Sequence, residues 1–114
     1  MSIKYFANRV KESSITTGSG NFVLSGPFSG YKDVLSTIGQ NNKFTYYIYR
    51  QDTNFEWEIG VGYIFDSGGV IVLVRESVVS SSNINTFVNF TSGTKIVETI
   101  ISEDRINTNL LNLE

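Results

Sequence analysis

The chain has no cysteine and no histidine, and in 114 residues it has one proline, one methionine and one tryptophan. Without cysteine there are no disulfides, no thiolate nucleophile and no Cys/His zinc site. Without histidine there is no imidazole to serve as a general base near neutral pH. A strong charge imbalance is absent too: nine Lys and Arg stand against eleven Asp and Glu, for a net −2 and a pI near 5.1. The cations form no run or stripe, so the electrostatic footprint of a nucleic-acid binder is lacking and no nucleic-acid partner is expected. Residues 1–8 lack the apolar run of a secretory signal, and no later stretch is long enough to cross a bilayer as a helix. A soluble product made in the cytoplasm, with no membrane partner, is the expectation. Alanine occurs once, at Ala7, so helices are starved of their best former.

What is present points to strands. Val, Ile and Thr number 11, 12 and 10, aromatics make up 13% of the chain, and ten glycines accompany many Ser and Asn residues. β-branched and aromatic side chains suit a pleated, half-buried surface, while Gly, Asn and Ser supply turns. The expected fold class is all-β: an antiparallel β-sandwich or partly open barrel of about seven to nine short strands. Residues 1–101 form a single β domain on this reading. Strands are expected over residues 4–12, 22–24, 44–50, 55–65, 70–76, 87–90 and 95–101. One short helical turn is allowed at residues 33–38, where Val34, Leu35 and Ile38 fall at helical spacing and Gly39 follows as a cap.

The clearest alternation lies in residues 55–65. Phe55, Trp57, Ile59, Val61, Tyr63 and Phe65 form one row, and Glu56, Glu58, Gly60, Gly62 and Ile64 the other. Apolarity places the aromatic-aliphatic row inward and the carboxylates and glycines outward. The glycines would then mark a bulge or a close backbone approach. Asp66-Ser67-Gly68-Gly69 reads as a hairpin turn. The segment 102–114 differs in character: Ile106, Leu110, Leu111 and Leu113 stand among asparagines, and three of the chain's six leucines are here. It reads either as a last helical turn or as an arm whose leucines dock on a neighbouring subunit, and the arm is preferred because Asn is a poor helix former.

The order of certain motifs carries a resemblance. Asn8-Arg9-Val10-Lys11-Glu12, Thr16-Thr17-Gly18-Ser19-Gly20, Phe22-Val23-Leu24, Gly30-Tyr31, Ile38-Gly39, Tyr46-Tyr47, Trp57-Glu58-Ile59-Gly60-Val61-Gly62, Leu73-Val74-Arg75-Glu76, Ser81-Ser82-Asn83, Val88-Asn89-Phe90 and Gly93-Thr94-Lys95 follow one another over residues 7–99. In order and spacing they resemble a small β domain of tailed-bacteriophage virion structural proteins, found alone or at the N-terminal end of tail-fibre and other virion-surface proteins. The chain departs from that pattern at Ser19, Val74 and Glu76, and residues 102–114 lie outside it. The resemblance implies a virion location and a component that attaches, decorates or extends. It implies partners among capsid, tail or fibre subunits, a homo-oligomer or multicopy assembly, and no enzymatic activity or cofactor.

Each chemical feature also has a plain structural account. Glu56 and Glu58, about 7 Å apart by strand rise, have the separation of an inverting glycosidase pair, but a solvated outer face beside cations explains them better. Ser13-Ser14 and Ser81-Ser82 have no histidine to activate them. Thr17-Gly18-Ser19-Gly20 and Gly60-Val61-Gly62 lack the Lys-Ser/Thr ending and the strand-loop-helix setting of a phosphate loop. No catalytic, cofactor-binding or metal-ligating residue is therefore assigned. Trp57 reads as a core anchor beside Ile59 and Val61; the alternative is stacking on a sugar ring with the tyrosines of residues 46–49. Arg9, Lys11 and Arg75 with Glu12, Glu58 and Glu76 read as weak surface pairs. The candidate partner-contact residues are Tyr47 and Tyr49, Gly68, Ser82 and Asn83, and Ile106, Leu110, Leu111 and Leu113.

Overall fold

A computed structural model describes residues 7–52 and 55–100. The strands are β1 (Lys11–Ser14), β2 (Phe22–Leu24), β3 (Phe44–Arg50), β4 (Trp57–Ser67), β5 (Val70–Ser81) and β6 (Lys95–Thr99), and the one helical turn is α1 (Val34–Thr37). They form a single antiparallel sheet in the order β1-β6-β3-β4-β5-β2. Its two edges meet. The Ser13 and Phe28 amides donate to Gly26 and Lys11 carbonyls at 3.0 and 2.9 Å, and Ser25 N–H donates to Ser13 O at 2.8 Å. The sheet thus rolls into a nearly closed barrel, which leaves few unpaired backbone groups at an edge.

Six strands among the described residues is fewer than the seven to nine expected. Residues 87–90 form no strand; Phe90 only bridges Gly18, and Phe22 packs edge-on against its ring at 5.3 Å. β5 runs on to Ser81 instead of ending at Glu76. The expected helical turn is there. Asp33 accepts the Ser36 amide as its N-cap, and Gly39, at φ +86°, returns its N–H to Val34 O at 3.2 Å, the left-handed ending that glycine permits without strain.

The core holds Phe22, Leu24, Val34, Ile38, Phe44, Tyr46, Ile48, Ile64, Leu73, Phe90 and Val97. Full burial of each large side chain contributes about 1.5–3 kcal/mol. β4 is turned the opposite way from its apolarity. Glu58, Gly60, Gly62 and Ile64 face the interior, and Trp57, Ile59, Val61, Tyr63 and Phe65 lie half-buried on the outside. Register supplies the reason. Phe44 pairs with Gly62 and Tyr46 with Gly60, so the largest interior side chains of β3 sit opposite positions with none, as a narrow barrel requires. A Cβ on Gly60 would overlap the Tyr46 ring and Ser77 O, and one on Gly62 would overlap Val74 O.

β5 carries two register shifts against β4, between Ile59 and Gly60 and between Val61 and Gly62. Each adds one residue to β5, and Leu73, Arg75 and Ser81, registered with Ile64, Gly62 and Glu58, reach the interior. Arg75 and Glu58 meet there.

Candidate functional site

Two polar centres compete for attention, one inside the barrel and one on it. Inside, Glu58 is fully buried and its Oε1 accepts from Arg75 Nη1 at 2.9 Å and from Val88 N–H at 2.7 Å, while Tyr46 O–H donates to Oε2 at 2.5 Å. Arg75 also donates to the Gly20, Gly18 and Val88 carbonyls at 2.9, 3.0 and 3.2 Å, and its guanidinium lies over the rings of Phe22, Phe87 and Phe90. Burial, reinforced by the neighbouring Glu58 carboxylate, pushes the Tyr46 phenol well above its ordinary range, so it remains a donor. Every polar atom named has a protein partner, so this is a latch that ties residues 18–20 and 88–90 to the sheet.

This overturns the reading of Glu56 and Glu58 as an outer-face pair. Glu58 is enclosed, and Glu56 accepts from the backbone N–H and the hydroxyl of Thr91 at 3.0 and 2.8 Å. Arg75 and Glu58 are likewise no surface pair. Only Glu76, bonded to Lys43 at 2.8 Å with both side chains exposed, behaves that way among the three acidic residues considered. Glu12 is buried, with its Oε2 accepting from Val34 N–H at 2.7 Å. Among the described residues no three carboxylates gather as a metal site, and no helix is long and apolar enough to cross a membrane.

On the outside, the row of β4 continues sideways. Trp57 is registered with Tyr49 and Ile59 with Tyr47 on β3; Tyr63 and Phe65 are registered with Val74 and Val72 on β5. Tyr47, Tyr49, Trp57 and Ile59 line a shallow open concavity of about 300 Å³. The two tyrosine rings stand 4.6 Å apart at 33°, the offset contact that aromatic quadrupoles favour. Tyr49 O–H donates to Glu98 Oε2 on β6. Burial, with Glu98's charge added, raises both the Tyr47 and Tyr49 phenols, so the concavity presents neutral rings. At its end, Ser82 holds β4: Trp57 N–H donates to Ser82 Oγ at 3.1 Å and Ser82 N–H to Trp57 O at 3.0 Å.

Trp57 is therefore a surface aromatic, not a core anchor. Of the residues proposed to touch partners, Tyr47 and Tyr49 come together in the concavity and Ser82 adjoins it. Asn83 turns inward on its own loop, its side chain donating to Phe87 O at 3.0 Å. Gly68, at φ +64° in the β4–β5 turn, lies at the far end of the row. Ile106, Leu110, Leu111 and Leu113 lie outside the described residues. Sequence reasoning held a surface role for Trp57 only as the alternative to core burial, and it missed Ile59 and Glu98. The signal was the pair of glycines at Gly60 and Gly62, which mark the crowded side of the strand.

No protein-family model, curated protein or solved structure matches the chain. The chemistry of this face must carry the functional argument.

Proposed function

We propose that the chain is a non-enzymatic structural component of a bacteriophage virion, a head- or tail-surface adaptor, decoration or fibre-anchoring protein that works by docking other virion proteins on the outer face of β3 and β4. One observation carries the docking: the aromatic-aliphatic row of β4, with Tyr47 and Tyr49 beside it, is turned toward solvent. Aromatic residues are the side chains that dominate protein interfaces. The virion setting rests on the resemblance in motif order alone. In a multicopy particle each contact can be modest, because linked sites raise the effective concentration of the next.

Replacing Trp57 and Tyr49 together by Ala tests the reading. Copies of the variant per particle, counted by quantitative mass spectrometry, are expected to fall at least about tenfold, since losing two interface anchors removes more than about 1.4 kcal/mol. Wild-type copy number in a variant whose far-UV dichroism and melting are intact would sink it.

A receptor- or carbohydrate-binding module of a tail fibre is the second reading. It is favoured by Trp57 standing with two tyrosines around an open concavity, a set whose rings stack on a sugar ring and whose hydroxyls hydrogen-bond it. A glycan array on the wild type, lost in the Trp57→Ala protein, separates it from the first.

A further inference from the structure

The outer face has an occupant of matching chemistry in the chain's own sequence. β6 and β4 are both antiparallel to β3, so they run in the same direction. The described chain ends at Ile100, whose N–H donates to Thr45 O at 3.1 Å, and Thr45 is registered with Val61, the midpoint of the outer row. At Ile100 the chain, on the β6 side of β3, is level with the row's centre on β4, and the direction of β6 points along β4 toward Phe65, away from the Trp57–Tyr47–Tyr49 concavity.

Reach decides what lies ahead. Either end of the row is four residues from Val61, about 13 Å at strand rise. Ile106 is six residues beyond Ile100, about 20 Å when extended, and Leu110 to Leu113 are about 33–43 Å beyond it. A segment continuing extended in the direction of β6 would carry its leucines past the level of Phe65, beyond its own concavity. Residues 106–113 bear no charge, and the concavity is lined by neutral side chains.

We propose that residues 106–113 of one copy dock in the concavity of Tyr47, Tyr49, Trp57 and Ile59 on a second copy. This deepens the docking function proposed above and rests on it, naming the partner of the same face as another copy of this chain. The arm and the concavity are different surfaces, so the contact is head-to-tail. Such contacts propagate as a ring when the rotation closes and as a filament when it does not.

Trp57 is the chain's one tryptophan, and it sits in the proposed site, so two full-length variants can report the contact. The acceptor carries Leu110→Ser, Leu111→Ser and Leu113→Ser and keeps Trp57; the donor carries Trp57→Phe, keeps the leucines and is dark. On mixing, the acceptor's emission is expected to shift to shorter wavelength and to saturate with added donor. A donor that also carries the three serine substitutions should produce no shift, and the wild-type protein should show a mass in multiples of 12.7 kDa. A mixture with no shift at any ratio overturns the inference. So does a single-copy wild type whose emission differs from the acceptor's while mixing changes nothing, which would seat the segment on its own chain. If mixing shows no shift while the Trp57→Ala, Tyr49→Ala protein still fails to enter particles, the inference falls and the docking function stands. If the shift is present and that protein enters particles normally, the arm contact stands and the virion role falls.

Discussion

Glu56 and Glu58 look alike in sequence, and the structure predicts that their removal will differ by several kcal/mol. Glu58→Ala strips the buried Arg75 guanidinium of its counter-charge and leaves the Val88 N–H and the Tyr46 O–H without their acceptor. Breaking a buried ion pair from one side costs about 3–5 kcal/mol, and each buried donor left unsatisfied costs about 1–3 kcal/mol. These penalties share one site and do not add fully, so a loss of at least about 4 kcal/mol is expected, against the roughly 5–15 kcal/mol by which domains are stable. Glu56→Ala removes two exposed hydrogen bonds to Thr91 and should cost about 1 kcal/mol or less. Urea unfolding followed by Trp57 emission measures both. With a slope of about 1–3 kcal/mol/M, the Glu58→Ala midpoint should drop by about 1.3–4 M. Replacing Glu58 and Arg75 together by Met should cost less than Glu58→Ala alone, because no charge is stranded. Equal losses at Glu56 and Glu58, both under about 1 kcal/mol, would refute the latch.

Gly60→Ala drives a methyl group into the Tyr46 ring and Ser77 O, and should cost about 1–3 kcal/mol or more in the same titration, whereas Gly20→Ala, with nothing within 4 Å, should stay within about 0.5 kcal/mol. Glu12 has its carboxyl raised above the usual carboxylate range, first by burial and then by the charge of Asp33. A carboxyl raised on folding stabilises fully below its unfolded value and loses that contribution as pH rises through its folded one. The melting temperature of Glu12→Gln should therefore gain on wild type between pH 4 and pH 7, and a difference that stays constant or shrinks contradicts the assignment.

The all-β class, the strands near 22–24, 44–50, 55–65, 70–76 and 95–101 and the helical turn were legible because β-branched content, turn glycines and helical spacing act locally, whereas the first strand, expected over 4–12, is Lys11–Ser14. The facing of β4 was not. Alternation shows that two rows exist but not which faces in, and hydrophobicity pointed to the wrong one. What decides the question is non-local: Tyr46 and Phe44 arrive from β3 opposite Gly60 and Gly62, and Arg75, registered with Gly62 from β5, meets Glu58 in the interior. The segment 87–90 misled for a related reason. Its apolar residues Val88 and Phe90 are buried, yet they pack as a loop around Arg75 instead of pairing as a strand.

The interior latch and the exterior face are two consequences of one register. Slipping β4 by one residue would exchange its rows, bringing Trp57, Tyr63 and Phe65 inside and releasing Glu58 to solvent. Hydrophobicity alone favours that exchange. It is opposed by the hydrogen bonds Glu58 makes to Arg75, Val88 and Tyr46, and by the lack of room over Gly60 and Gly62. A buried ion pair of this kind adds little net stability beside an apolar replacement, but it penalises every register that separates its partners. Glu58 and Arg75, enclosed in the barrel, thereby hold Trp57 and Ile59 on its outer face.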